Sequence, residues 1–160
     1  MFEKPRRRSV LGAAVLLLLA HTPARTQGRE TPLPTPASLQ AAAREAAARG
    51  EPLVLLVSLP GCPYCELVRR NYLAPLRAQG LAAFQITVTD RKTVVQDFSG
   101  KPSTGADIAS AFNAQFTPTV MFLNPQGKEI AERIKGMNSP DFYGAYLDER
   151  LVMARKALLN

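Results

Sequence analysis

Tryptophan is missing from this 160-residue chain, histidine occurs once, as His21, and cysteine only twice, as Cys62 and Cys65. His21 falls inside an N-terminal segment that reads as removable. The remaining chain would hold no histidine, which excludes Ser–His and Cys–His catalysis and any histidine-based metal site. Two cysteines are too few for a disulfide-dense scaffold or for the four ligands of structural zinc. Basic residues do not cluster with aromatics, so the chain lacks a nucleic-acid footprint. The net charge of +7 is partly local. Lys4, Arg6, Arg7 and Arg8 against Glu3 give residues 1–24 a net of +3, and the rest carries +4, a charge of the size that keeps a domain soluble. Apolar (46%) and charged (21%) contents are those of an ordinary soluble domain.

Residues 1–24 have the layout of an export signal. "MFEKPRRR" is a basic start, and Val10–Ala20 is an apolar run short of the ~20 residues of a spanning helix. Thr22-Pro23-Ala24 offers small residues for cleavage, leaving a mature chain from about Arg25. "RRSVL" (Arg7–Leu11) resembles a twin-arginine signal, with Arg6 and Val10 departing from its usual form, so export by either the Sec or the twin-arginine route is open. Without cleavage the same segment would serve as a membrane anchor. No cysteine lies near the cleavage region, which argues against a lipoprotein.

Residues 25–36 are polar and proline-rich and read as a linker, with a folded domain over residues 37–160. Residues 37–50 are helix-forming, stopped by Gly50. "PLVLLVSL" (52–59) is a continuous apolar run, as in a strand buried on both faces. Residues 66–80 read as a helix with Leu67, Val68, Tyr72 and Leu76 on one face, kinked or ended at Pro75. Residues 82–90 alternate as a strand. Arg91–Gly105 is a loop-rich insert, with a short element at "VVQDF". Residues 106–116 read as a helix. Val120–Leu123, "NPQG" and Glu129–Ile134 make a hairpin. Residues 139–159 form a last helix with Ser139 as N-cap and Pro140 in its first turn, and most of Phe142, Tyr143, Tyr146 and Leu147 should pack on the sheet, with a partner-docking stripe as the alternative. This order predicts an α/β fold, a mixed central β-sheet flanked by helices, with an N-terminal helix extension.

The cysteines sit at the turn from the first strand into a helix. A disulfide closing so short a loop gives only ~2 kcal/mol in the chain-entropy model, little for a domain of this size. Soft Cu(I) accepts two thiolates, so a copper chaperone stays open, although Met-rich and His-rich tracts are missing. The redox reading explains more. Cys62 at a helix N-terminus meets unpaired N–H groups and the positive end of the helix dipole, which lower a thiol's pKa and make it nucleophilic. Cys65, one turn on, can attack a mixed disulfide at Cys62 and release its partner. Pro63 costs little in a first turn, Tyr64 borders the thiolate, and Gly61 precedes it. "FTPTV" (116–120) places Pro118 at a strand start.

Taken together, "LLVSLPGCPYC", "TPTVMFL", "GKEIAERIKG" and the last helix, over about residues 37–155, resemble the thioredoxin superfamily, and within it the periplasmic thioredoxin-like proteins of bacteria. The resemblance implies a thioredoxin fold, a redox-active Cys62/Cys65 pair, a cis Pro118, and Thr117 as the residue that contacts the substrate backbone. Gly61 stands where thioredoxins have Trp, and Pro63-Tyr64 is the dipeptide of glutaredoxins. The T-P-T stretch, the N-terminal region and the export signal favour the thioredoxin-like branch. Leu56 stands where thioredoxins bury an acid six residues before the first cysteine. Glu66 beside Cys65 is a candidate substitute, though its first-turn position reads as solvated.

The sequence therefore predicts an exported, periplasmic thiol–disulfide oxidoreductase with Cys62 and Cys65 as catalytic residues, Thr117 and Pro118 at the substrate, and no metal or other cofactor. Its partners would be protein thiols or disulfides and a membrane electron-donor or acceptor protein. The Arg91–Gly105 segment is smaller than the helical insertion of Dsb-type oxidases, which favours a reductant. The alternative is a redox-inert thioredoxin-fold binding module or a Cu(I) chaperone.

Overall fold

A computed structural model describes Met1, residues 33–137 and residues 139–159. The export-signal reading and His21 lie outside the described residues. The elements run α1 (Leu39–Ala47), β1 (Leu53–Ser58), α2 (Pro63–Val68), a π-helical turn (Arg69–Leu73), α3 (Ala74–Ala78), β2 (Ala83–Thr87), β3 (Val95–Gln96), β4 (Pro102–Ser103), α4 (Gly105–Ala111), β5 (Thr119–Leu123), β6 (Glu129–Lys135) and α5 (Pro140–Leu158). The central sheet has the order β2-β1-β5-β6. β1 pairs parallel with β2 and antiparallel with β5, and β5 pairs antiparallel with β6. The chain is thus a mixed α/β sheet between two helical layers.

β1 explains the layering. All six of its residues are buried, as its unbroken apolar run predicts. Leu53, Leu55 and Val57 join the cluster beneath α1 and α4. Val54 and Leu56 join the other, with Val68, Leu73 and the buried face of α5. The strand's period of two feeds two cores at once. Helix ends follow local chemistry. Gly50, at φ 73°, ends α1, and the Glu51 and Gly50 N–H groups return to the carbonyls of Ala46 and Ala47.

Four sequence expectations are corrected. Residues 33–36 are not free linker: Leu33 is 2% exposed in the core, Pro36 is buried, and the Gln85 N–H donates to the Pro34 carbonyl at 3.0 Å. This segment covers the outer edge of β2, where unpaired backbone groups would otherwise face solvent. Pro75 does not end its helix, which runs on to Ala78. Its missing N–H and bulky ring conflict with the carbonyl four residues back. The preceding turn widens instead, with the Ala74 N–H donating to Arg69, five residues back. Cys65, Val68 and Leu73 are the buried side chains along this run, the last two five apart, with Tyr72 only half-buried. The helix expected over 106–116 stops at Ala111, because Asn113 takes φ 49° and the N–H groups of Asn113 and Ala114 fold back to Ser110 and Ala109. In α5, Tyr143 and Leu147 are buried, but Phe142 and Tyr146 are exposed. Ser139 holds the N-cap position of α5 without a side-chain cap bond.

The insert is organised by carboxylates. Asp90 accepts from the N–H groups of Lys92 and Thr93, while its own carbonyl accepts from Ala106 at the start of α4. The short β3–β4 hairpin follows, and the side-chain amide of Gln40 from α1 donates to the Phe98 carbonyl at 2.9 Å. Gly105 passes so close to Thr87 that a Cβ would lie 2.5 Å from its carbonyl oxygen, which seats α4 against the end of β2. No helix among the described residues is long and apolar enough to cross a membrane.

Candidate functional site

The end of β1 turns sharply through Leu59-Pro60-Gly61-Cys62. The Cys62 N–H donates to the Leu59 carbonyl at 3.2 Å, and Gly61 has φ 75°. Proline second and a left-handed glycine third are what a type II turn requires, so this tetrapeptide folds β1 straight into the helix. Cys62 becomes the N-cap of α2, and Pro63 occupies the first turn, where its missing N–H is not needed. The Cys62 Sγ accepts from the Cys65 N–H at 3.2 Å. Cys62 and Cys65 are joined in a disulfide with their Cα atoms 5.3 Å apart. The two cysteines differ in exposure: Cys62 is half-buried, and Cys65 is 1% exposed. Gly61, Pro63 and Tyr64 are exposed around the pair.

The Thr117–Pro118 peptide is cis. Thr119 opens β5 opposite Val57, one residue from the end of β1. This register carries Thr117 and Pro118 to the same end of the sheet as the Leu59–Cys62 turn. Pro118 is buried, and its carbonyl accepts from the Gly136 N–H at 2.7 Å; Thr117 is half-buried. The Thr119 hydroxyl donates to the Phe116 carbonyl at 2.7 Å, closing the turn into the strand. The Phe116 side chain stays 64% exposed.

A cavity of about 470 Å³ opens beside Cys62, with Ser58, Glu66, Arg69, Gln85 and Thr87 in its wall. Arg69 organises it. Its Nε donates to Gln85 Oε1 at 2.7 Å, one terminal nitrogen to the Ser58 hydroxyl at 2.9 Å, and the other to the Glu66 carboxylate. The Arg69 side chain is 16% exposed and that of Glu66 34%, so Glu66 is an ion-paired residue of the cavity wall rather than a solvated one. Leu56, at the place where the resemblance puts a buried acid, lies in the apolar core with 0% exposure. Cys62, Glu66 and Arg69 are spaced i, i+4, i+7, which places them on one helical face. That spacing was the available signal for Arg69. The contributions of Ser58 and Gln85, from β1 and β2, depend on sheet pairing and have no local signature. No group of three or more His, Cys, Asp or Glu side chains is placed to hold a metal among the described residues.

Residues 39–151 match the family model of a thioredoxin-like domain. Similar solved structures include a poplar thioredoxin h, at 19% identity over 68% of this chain and 85% of that one, TM-score 0.45. Another is a thioredoxin-fold protein from Helicobacter pylori, at 21% identity over 69% of this chain and 83% of that one, TM-score 0.40. A third is the periplasmic thioredoxin SoxS from Paracoccus pantotrophus in reduced form, at 20% identity over 63% of this chain and 96% of that one, TM-score 0.39. No match was found among curated proteins.

Proposed function

The chain belongs to the family of thioredoxin-like domains, and from that premise we propose that it is an exported thiol–disulfide oxidoreductase that reduces protein disulfides. The observation that carries the reading is the unequal Cys62–Cys65 pair at a strand–helix turn, one cysteine half-buried and the other buried. In the reduced domain the Cys62 thiolate attacks a partner disulfide. A mixed disulfide forms and one partner thiolate leaves. Cys65, deprotonated, then attacks the Cys62 sulfur and expels the second partner thiolate. The partner gains two electrons and two protons, and the domain is left as the disulfide. A membrane electron-donor protein returns the two electrons. Thr117 and Pro118, at the same end of the sheet, are the proposed substrate contacts. Export is supported by the basic start, the short apolar run and the small residues that follow it; the oxidising compartment beyond is where disulfides persist.

Cys65→Ser tests the mechanism. The variant should trap partners as mixed disulfides through Cys62, stable until a reductant is added, whereas Cys62→Ser should trap none. Trapping by neither would leave a redox-inert binding module. The direction is tested by equilibrating the full chain with glutathione. A potential near the roughly −270 mV of thioredoxin supports a reductant, and one near the roughly −120 mV of a disulfide oxidase reverses the assignment.

A further inference from the structure

Arg69 is a large cation held at the wall of the cavity that Cys62 also lines. Three bonds from three different elements fix its guanidinium: Ser58 from β1, Gln85 from β2 and Glu66 from its own helix. Neither hydroxyl nor amide changes its charge. Glu66 does, and it sits between Cys62 and Arg69 along the helical face. The rest of the cavity wall is uncharged: Leu59, Pro60 and Gly61 from the turn, Pro63 from α2, and Thr87 from β2. The Phe116–Pro118 segment is uncharged too. Lys135, paired in register with Thr119, is a further cation at this end of the sheet, and Asp90, Arg91 and Lys92 follow the end of β2 there, parallel to the end of β1.

We propose that Glu66 and Arg69 form a compensated charge pair that sets how readily the Cys62 sulfur carries negative charge. Arg69 attracts the thiolate, Glu66 cancels most of that attraction, and Ser58 and Gln85 keep the guanidinium in place. The two are positioning residues: they act through Cys62 and exchange no electrons. The inference rests on the reading of Cys62 as the attacking thiol. It makes a signed claim. Loss of the carboxylate leaves an uncancelled cation in the wall of the cavity that Cys62 lines and favours the thiolate. Loss of the guanidinium leaves an uncancelled anion and disfavours it. A more stable thiolate stabilises the reduced state and so raises the reduction potential.

The test is the pH profile of Cys62 alkylation by iodoacetamide in the reduced full chain, since the buried Cys65 is shielded from the reagent. The midpoint should fall by about one unit in Glu66→Gln and rise by about one unit in Arg69→Gln. The double variant should return close to wild type, and Arg69→Lys, which keeps the charge without the fork, should stay nearer to wild type than Arg69→Gln. Reduction potentials should move up in Glu66→Gln and down in Arg69→Gln. Shifts of the same sign in both single variants, or none beyond about 0.2 unit, overturn the proposal, because loosened packing has no reason to invert its sign with charge. Arg69→Gln removes a partner of the buried Ser58. If that variant does not fold, Glu66→Gln decides alone: a lower midpoint supports the pair, and an unmoved one overturns it. A wild-type Cys62 unreactive at every pH would instead remove the oxidoreductase reading itself, and this inference with it. Normal reactivity with unmoved midpoints removes only the charge pair.

Discussion

Tyr143 shows how a single residue departs from good packing. It is 2% exposed, its ring meets Tyr72 at 4.9 Å between centroids, and its hydroxyl has no hydrogen-bond partner among the described residues. Tyr72 uses its own hydroxyl elsewhere, donating to the Pro140 carbonyl at 3.0 Å. Burial first, and the neighbouring Tyr72 second, push the Tyr143 phenol far above its ordinary pKa, so it stays neutral at any working pH. A buried hydroxyl without a partner costs about 1–3 kcal/mol. Tyr143→Phe keeps the ring and removes the cost. The variant should unfold a few degrees higher than wild type, at about 2–4 °C per kcal/mol for a domain near this size. A lower midpoint in a thermal melt would mean that the hydroxyl is bonded internally after all.

Among the elements, the insert after β2 is tied down by two ionised carboxylates. Asp90 is held near a pKa of about 2, chiefly by the Thr93 hydroxyl, then by the backbone N–H groups of Thr93 and Lys92. Asp97 is lowered as well, chiefly by the Ser99 hydroxyl. Because the folded value of Asp90 lies below its unfolded one, its contribution is present above about pH 4 and fades as pH falls toward 2. Asp90→Asn keeps an acceptor oxygen but cannot titrate. The gap in melting temperature between wild type and Asp90→Asn should therefore be constant from pH 7 to 5 and close between about pH 4 and 2, while Asp97, present in both, cancels. A gap that does not change across that window would show that Asp90 is not held as an anion. These ties also mark what the sequence could reveal. β1, the turn into α2 and the β5–β6 hairpin follow from unbroken apolar runs and from Pro and Gly at turn positions, and all were legible. The pairing of Pro34 with Gln85, the widened turn ahead of Pro75 and the left-handed Asn113 were not, since each answers to a neighbour distant in sequence or to a conformation that several residue types adopt. At the site, Cys62 and Cys65 were legible from their spacing at a strand–helix turn, and Arg69 was signalled by its helical spacing from Cys62, while its partners Ser58 and Gln85 depend on sheet pairing.

For the whole molecule, the direction of electron flow is a question about two folded states. A disulfide that stabilises the fold is harder to reduce than the same pair in an unfolded chain, and that makes the domain a reductant; an oxidant is one whose reduced form is favoured. Closing the Cys62–Cys65 loop contributes about 2 kcal/mol to the oxidised fold in the chain-entropy model. To reverse that preference, the folded protein would have to lower the Cys62 thiol by roughly 1.5 units or more, at about 1.4 kcal/mol per unit. The position of Cys62 at a helix start works in that direction, but Arg69, the cation in the wall of its cavity, is already engaged by Glu66. The buried position of Leu56 supplies no charge of either sign. The oxidised chain should accordingly be the more stable form by about 2 kcal/mol in guanidinium unfolding at pH 7, measured with and without excess dithiol. Glu66→Gln should narrow that difference by freeing Arg69 to hold the thiolate. If the reduced chain proves the more stable in wild type, the domain is built to give its disulfide away, and the proposed direction of electron flow reverses.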